Sequence, residues 1–178
     1  MYEDVLHFWF DETRPAQWWS ADPAFDRLVG ERFGAVLERA ARAELHAWRA
    51  TPRGRLAEVI VLDQFSRNIH RNTPRAFACD PMALVLAQEA IAGGAARALS
   101  ALERSFLYLP FMHSEARAIH EEAERLYRDN GLEDNYRYEL LHKAIIDRFG
   151  RYPHRNEILG RASTPEEIDF LKQPGSRF

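Results

Sequence analysis

Between Val59 and Pro81 the sequence VIVLDQFSRNIHRNTPRAFACDP sets an acid, a base and two amides on one stretch of helical period. Asp63 and Arg67 stand four apart with the acid first, the better order for an i,i+4 ion pair. Gln64 and Asn68 repeat that step beside them. Two further segments hold groups able to do chemistry where proline and glycine interrupt the helices. His113 and Glu115 follow Pro110, and Arg148, Arg151, His154, Arg155 and Asn156 surround Gly150 and Pro153. Residues in such an elbow are free of helix geometry and can aim several side chains at one point. If the elbow packs over the Asp63–Arg67 face, with His113 and Glu115 entering from the Pro110 turn, the three segments form one cleft. Arginines, histidines and amides against few acids suit an anionic ligand, a carboxylate or a phosphate ester. Arg67 and Arg155 would clamp the anion. His113 or His154 would be the acid or base of any reaction, since only histidine titrates near neutrality without help.

More specific chemistries are excluded by spacing. His120-Glu121 begins like H-E-x-x-H, but the fifth position is Glu124, so the second zinc-ligating histidine is missing. Glu139 and His142 have the Glu-x-x-His spacing of di-iron bundles, which need a second such pair that the sequence lacks. There is no G-x-S-x-G elbow, P-loop or dinucleotide fingerprint. We therefore expect no metal and no cofactor. His113 and Glu115, two apart, would not share a face of a regular helix, so their convergence requires His113 to lie in the turn after Pro110.

The elements that must position these groups are helical. Asp22-Pro23, Thr51-Pro52, Thr73-Pro74, Asp80-Pro81 and Thr164-Pro165 each place a capping side chain before a proline suited to the first helical position. Ser100 with Glu103, and Thr164 with Glu167, have capping-box spacing. Gly93, Gly131, Gly150 and Gly160 mark stops. No stretch alternates like a strand. The expected fold is all-α and TPR-like, a single domain of stacked antiparallel helical hairpins over residues 1–178, argued from short connections and not from a repeat signature. The reading predicts helices from Tyr2 to about Phe10, Asp22 to about Trp48, Thr51 to about Ile69, Pro81 to Ala92, and Ser100 to Leu109 ending near Pro110. It continues with Ser114 to Asp129, Leu132 to Phe149, and short helices near Asn156–Leu159 and Pro165–Leu171. Leu62, Phe65 and Ile69 form the core stripe of the organising helix. Trp9, Trp18 and Trp19 pin the N-terminal segment, and Phe178 docks the tail in an apolar pocket.

At 178 residues the chain can bury a substantial core without staples. Its net charge of -3 gives no footprint for nucleic acid or an anionic membrane, and no apolar run approaches the ~20 residues of a spanning helix. The lone Cys79 reads as a small filler, and the acidic start MYEDVLHFWFDE lacks a signal peptide's basic region, so a cytoplasmic protein is expected.

Three blocks, DQFSRNIHR at Asp63–Arg71, YLPFMHSE at Tyr108–Glu115 and RFGRYPHRNEILGR at Arg148–Arg161, resemble the signatures of the bacterial domain-of-unknown-function family 924. FWF at Phe8–Phe10 and STPEE from Ser163 extend the likeness over nearly the whole chain. The family usually carries proline where Ser66 stands, a change expected to matter little on the helix's outer side. The resemblance implies a helical, TPR-like fold and no particular activity. The function expected from the residues is a binding module whose cleft (Asp63, Arg67, Asn68, Glu115, Arg148, Arg155, Asn156) takes a small anionic ligand or a peptide. The alternatives are an enzyme on a small anionic substrate, and a purely structural salt-bridge network.

Overall fold

The computed structural model describes residues 1–177, which form helices and turns with no β-strand among them. The all-α expectation holds. The tail residue Phe178 lies outside the described residues.

The chain opens with α1 (Tyr2–His7), a π-turn over Phe8–Glu12 and the short α2 (Pro15–Trp18). Asp22 then caps α3 (Pro23–Ala41) by accepting from the amides of Ala24 and Phe25. Thr51 caps α4 (Pro52–Ile60), which runs through a π-turn over Val61–Phe65 into α5 (Ser66–Ile69) as one continuous rod. Next come α6 (Asp80–Ala92) and α7 (Ala101–Met112), then α8 (Arg117–Asn130) and α9 (Glu133–Phe149). A 3-10 turn at Pro153–Arg155 and α10 (Pro165–Phe170) end the helical elements. Both expected capping boxes form, Ser100 with Glu103 and Thr164 with Glu167.

The rod of α4 and α5 is the centre. α1, α6 and α7 pack on α4, while α3 packs on the π-turn and α5. Every residue from Leu56 to Ser66 is buried, so the helix is enclosed and not half-exposed as its stripe suggested. Phe65 has its ring centroid 4.9 to 6.1 Å from those of Phe8, Trp9 and Phe33. The N-terminal segment is pinned as expected, with Trp9 fully buried and the Trp18 Nε1–H donating to the Trp9 carbonyl at 2.9 Å. α7, α8 and α9 are successive neighbours, turning at Gly131, whose φ of 77° glycine adopts without strain. Under the elbow lies a smaller apolar cluster of Ile145, Ile146 and Tyr152, with Phe149 and Phe170 against it.

Five sequence expectations need correction. α3 stops at Ala41, because Ala43 takes a left-handed φ of 58°, and residues His46–Ala50 form a separate 3-10 turn. α7 continues through Pro110 to Met112. Residues Ser105–Met112 are all buried, and that burial outweighs the one backbone bond a proline removes. α8 begins at Arg117 and not at Ser114, since Ala116 is extended. The short helix expected near Asn156–Leu159 is only a turn, and the helical element is a 3-10 turn at Pro153–Arg155, where proline presets φ for its first position. Ser66 is also not on an outer side. It is 1% exposed, and its hydroxyl donates to the Leu62 carbonyl at 2.6 Å.

Candidate functional site

The π-turn carries Asp63 inward to 1% exposure, where three groups surround it. Gln64 Nε2 donates to its Oδ2 at 2.7 Å. Arg67 Nη1 donates to its Oδ1 at 3.1 Å and to its backbone carbonyl at 2.7 Å. His113 Nδ1 lies 2.8 Å from Oδ1. Because a carboxylate only accepts, Nδ1 carries the proton there. Burial raises the Asp63 pKa, but Arg67 and His113 together outweigh it and hold the group well below the usual carboxylate range. His113 caps the C-terminus of α7, so the continuation of that helix through Pro110 is what delivers its ring.

Arg67 reaches onward to Asp80 at the start of α6, with Nη1–Oδ1 at 3.0 Å and Nη2–Oδ2 at 2.9 Å. Asp80 also faces Arg155 from the elbow, but the Nη1–Oδ2 separation there is 3.5 Å. The Arg155 guanidinium lies between two rings, 4.7 Å from the Phe77 centroid and 4.6 Å from that of Tyr152. Its Nε is buried with no hydrogen-bond partner, and so is Nδ1 of the adjacent His154. Burial, and then the positive charge of Arg67, push the Arg155 pKa below its ordinary value. Burial likewise lowers His154 to about 4. The structure thus brings together Asp63, Arg67, His113, His154 and Arg155, adding Asp80, Phe77 and Tyr152.

The other candidates go elsewhere. Asn68 donates to Asp26 at 2.8 Å, beside the Arg71–Asp26 ion pair on α3. Arg148 is exposed, pairs with Glu166 and lies over the Phe149 ring. Glu115 and Asn156 belong to a second network that closes the elbow. Glu115 accepts from the Tyr152 amide at 2.7 Å and from both Nη groups of Arg161 at 2.6 and 2.9 Å. Asn156 accepts from Arg161 Nε and donates to Ser163 and Glu167. Glu167, held to about 2 chiefly by Arg151, bonds that arginine at 2.6 and 2.8 Å. His113 and Glu115 therefore point to different partners, as residues two apart should.

A family model described as "Bacterial protein of unknown function (DUF924)" matches residues 5–175. This chain belongs to that family. A DUF924 likeness in sequence extends to structure: the chain superposes on the "Structure of Protein of Unknown Function ATU0120 from Agrobacterium tumefaciens" with a TM-score of 0.91. The two are 40% identical, over 96% of each chain. No curated protein matches.

Sequence reasoning missed Asp80, Phe77 and Tyr152 as parts of the cluster around Arg67 and Arg155, and Arg161 as part of the second network. Asp80 read as a cap before Pro81, yet Cys79 is the capping position and the carboxylate turns to Arg67 instead. It also missed the fully buried pair of His120 with Glu139, 2.8 Å apart, whose two residues are nineteen positions apart in sequence. Among the described residues no three His, Cys, Asp or Glu side chains gather as a metal-binding group, and no helix is long and apolar enough to cross a membrane. A surface hollow of about 390 Å³ beside Phe33 and Trp48 lies outside the cluster, and its arginines, Arg32 and Arg39, pair with Glu12 and Glu44.

Proposed function

We propose that this chain is a helical binding module, TPR-like in its successive α7–α8–α9 packing, that holds a small anionic ligand or an acidic partner segment at Arg155. One observation carries the reading. Arg155 is 6% exposed, its Nε has no partner, and its nearest carboxylate is 3.5 Å away and already held by Arg67 through two shorter bonds. A buried cation without close hydrogen-bonded compensation is costly, and a bound carboxylate or phosphate supplies the missing acceptors. The rings of Phe77 and Tyr152, 4.7 and 4.6 Å from the guanidinium carbon, contribute cation–π contacts but no hydrogen-bond acceptor. Arg67 takes a supporting part in this reading, since both of its Nη groups are committed to Asp63 and Asp80. The free thiol Cys79, whose pKa burial raises, is consistent with work in the cytoplasm.

The test is the thermal shift produced by phosphate and by acetate. A ligand that binds the folded state raises the melting point in proportion to its occupancy. The shift is expected in the parent protein and lost in Arg155→Met. A shift unchanged in that variant would remove Arg155 from any site.

The Asp63–His113 pair favours a second reading, an enzyme acting on the anion. A carboxylate that fixes the imidazole through Nδ1 leaves Nε2 as a base of defined orientation. Its test is carbethoxylation of His113 by diethyl pyrocarbonate, which needs a neutral, accessible imidazole and which phosphate should block.

A further inference from the structure

We propose that His113 is the proton-accepting ligand of this site, so that an anion held at Arg155 is bound together with a proton taken up on His113 Nε2. The inference rests on the anion-binding reading above and concerns how the added charge is met.

The geometry sets the requirement. Nδ1 of His113 donates to Asp63 at 2.8 Å, which fixes the neutral ring in the tautomer with a bare Nε2. No hydrogen bond to Nε2 forms among the described residues, and the side chain is 15% exposed, so solvent and solutes reach it. The cluster is continuous from this ring to Arg155: Asp63 joins His113 to Arg67, and Asp80 joins Arg67 to Arg155. An anion oxygen brought against the neutral ring meets a lone pair, acceptor against acceptor. A proton on Nε2 turns that contact into a charge-assisted hydrogen bond.

The surrounding charges point the same way. His113 faces Asp63 and Arg67 from the central rod and Asp80 from α6. It also acts on His142 of α9 and His154 of the elbow, whose rings burial keeps neutral. Two carboxylates, Asp63 and Asp80, balance two guanidiniums, Arg67 and Arg155; near His154 the exposed Arg177 adds a positive charge and Glu115, paired with Arg161, a negative one. An incoming anion adds a negative charge, and His113 is the group placed to offset it. In the free protein burial and Arg67 lower the His113 pKa, so the ring is neutral and ready to take up the proton.

The experiment is calorimetric titration with sulfate, which has no titratable proton near neutrality, in two buffers of different ionisation enthalpy. We expect uptake approaching about one proton per sulfate, and binding roughly tenfold or more tighter at about pH 6 than at about pH 8. The uptake should vanish in His113→Gln, whose amide can still donate to Asp63. The buffer comparison on the parent protein stands whatever that variant does to folding. Sulfate binding without proton uptake and with one affinity at both pH values would overturn this inference and leave the anion-binding reading intact. Uptake that persists in His113→Gln would overturn it as well. An absence of sulfate binding at either pH would overturn both.

Discussion

Arg67 and Asp80, thirteen residues apart, meet edge to edge through two bonds of 3.0 and 2.9 Å and tie the central rod to the start of α6. The same guanidinium holds Asp63, so one cation satisfies two carboxylates, of which Asp63 is 1% exposed. Removing it strands both. Arg67→Ala should therefore cost roughly 3–5 kcal/mol, the penalty of breaking a buried pair from one side. Chemical denaturation measures it, and a loss within about 0.5 kcal/mol, typical of a surface change, would refute the clamp.

Arg155 should behave in the opposite way. Its close compensation is missing, so replacing it with an apolar residue of similar reach removes a desolvated charge and little else. Arg155→Met is expected to leave stability unchanged or raise it by roughly 1 kcal/mol or more. A large loss would mean that the long contact with Asp80 and the two rings hold the elbow structurally.

Phe65 is fully buried in the π-turn among Phe8, Trp9 and Phe33. Phe65→Ala should cost about 3–5 kcal/mol, since such an enclosed site has little freedom to collapse around the void. An unaltered melting point would show that the rings repack without it.

Stability should fall with acid before the carboxylates titrate. His154 drops from 6.5 unfolded to about 4 folded, and His142 to about 3, in both cases chiefly through burial. A base with a lowered folded pKa stays neutral in the fold while the unfolded chain takes up the proton. Each therefore withdraws stability as pH falls from about 6.5 towards its folded value, by up to roughly 3 kcal/mol for His154. The carboxylate Glu167, at about 2, adds its own loss only below about 4.5. Melting points across this range should decline in the parent protein and decline less in His154→Gln; equal slopes would place His154 in contact with water.

Much of the architecture was legible because it is local. Asp22, Thr51, Ser100 and Thr164 announce helix starts, since capping needs only a side chain and the amides two or three residues on. The Asp63–Arg67 pair and the Pro153 elbow were likewise visible as spacing and breakers, whereas α7 runs through the break expected at Pro110 and it is the end of that helix that delivers His113. What only the tertiary structure decided is which partner each group takes. Asp80 could cap its own helix or serve Arg67, and the half-buried guanidinium on α5 wins because it needs the charge. Asn68 and Arg148 look like their neighbours in sequence, yet their positions on the helix surface send them to Asp26 and Glu166. The π-turn adds the last uncertainty, since an extra residue in one turn rotates every side chain after it, and no local preference in VLDQF announces that shift.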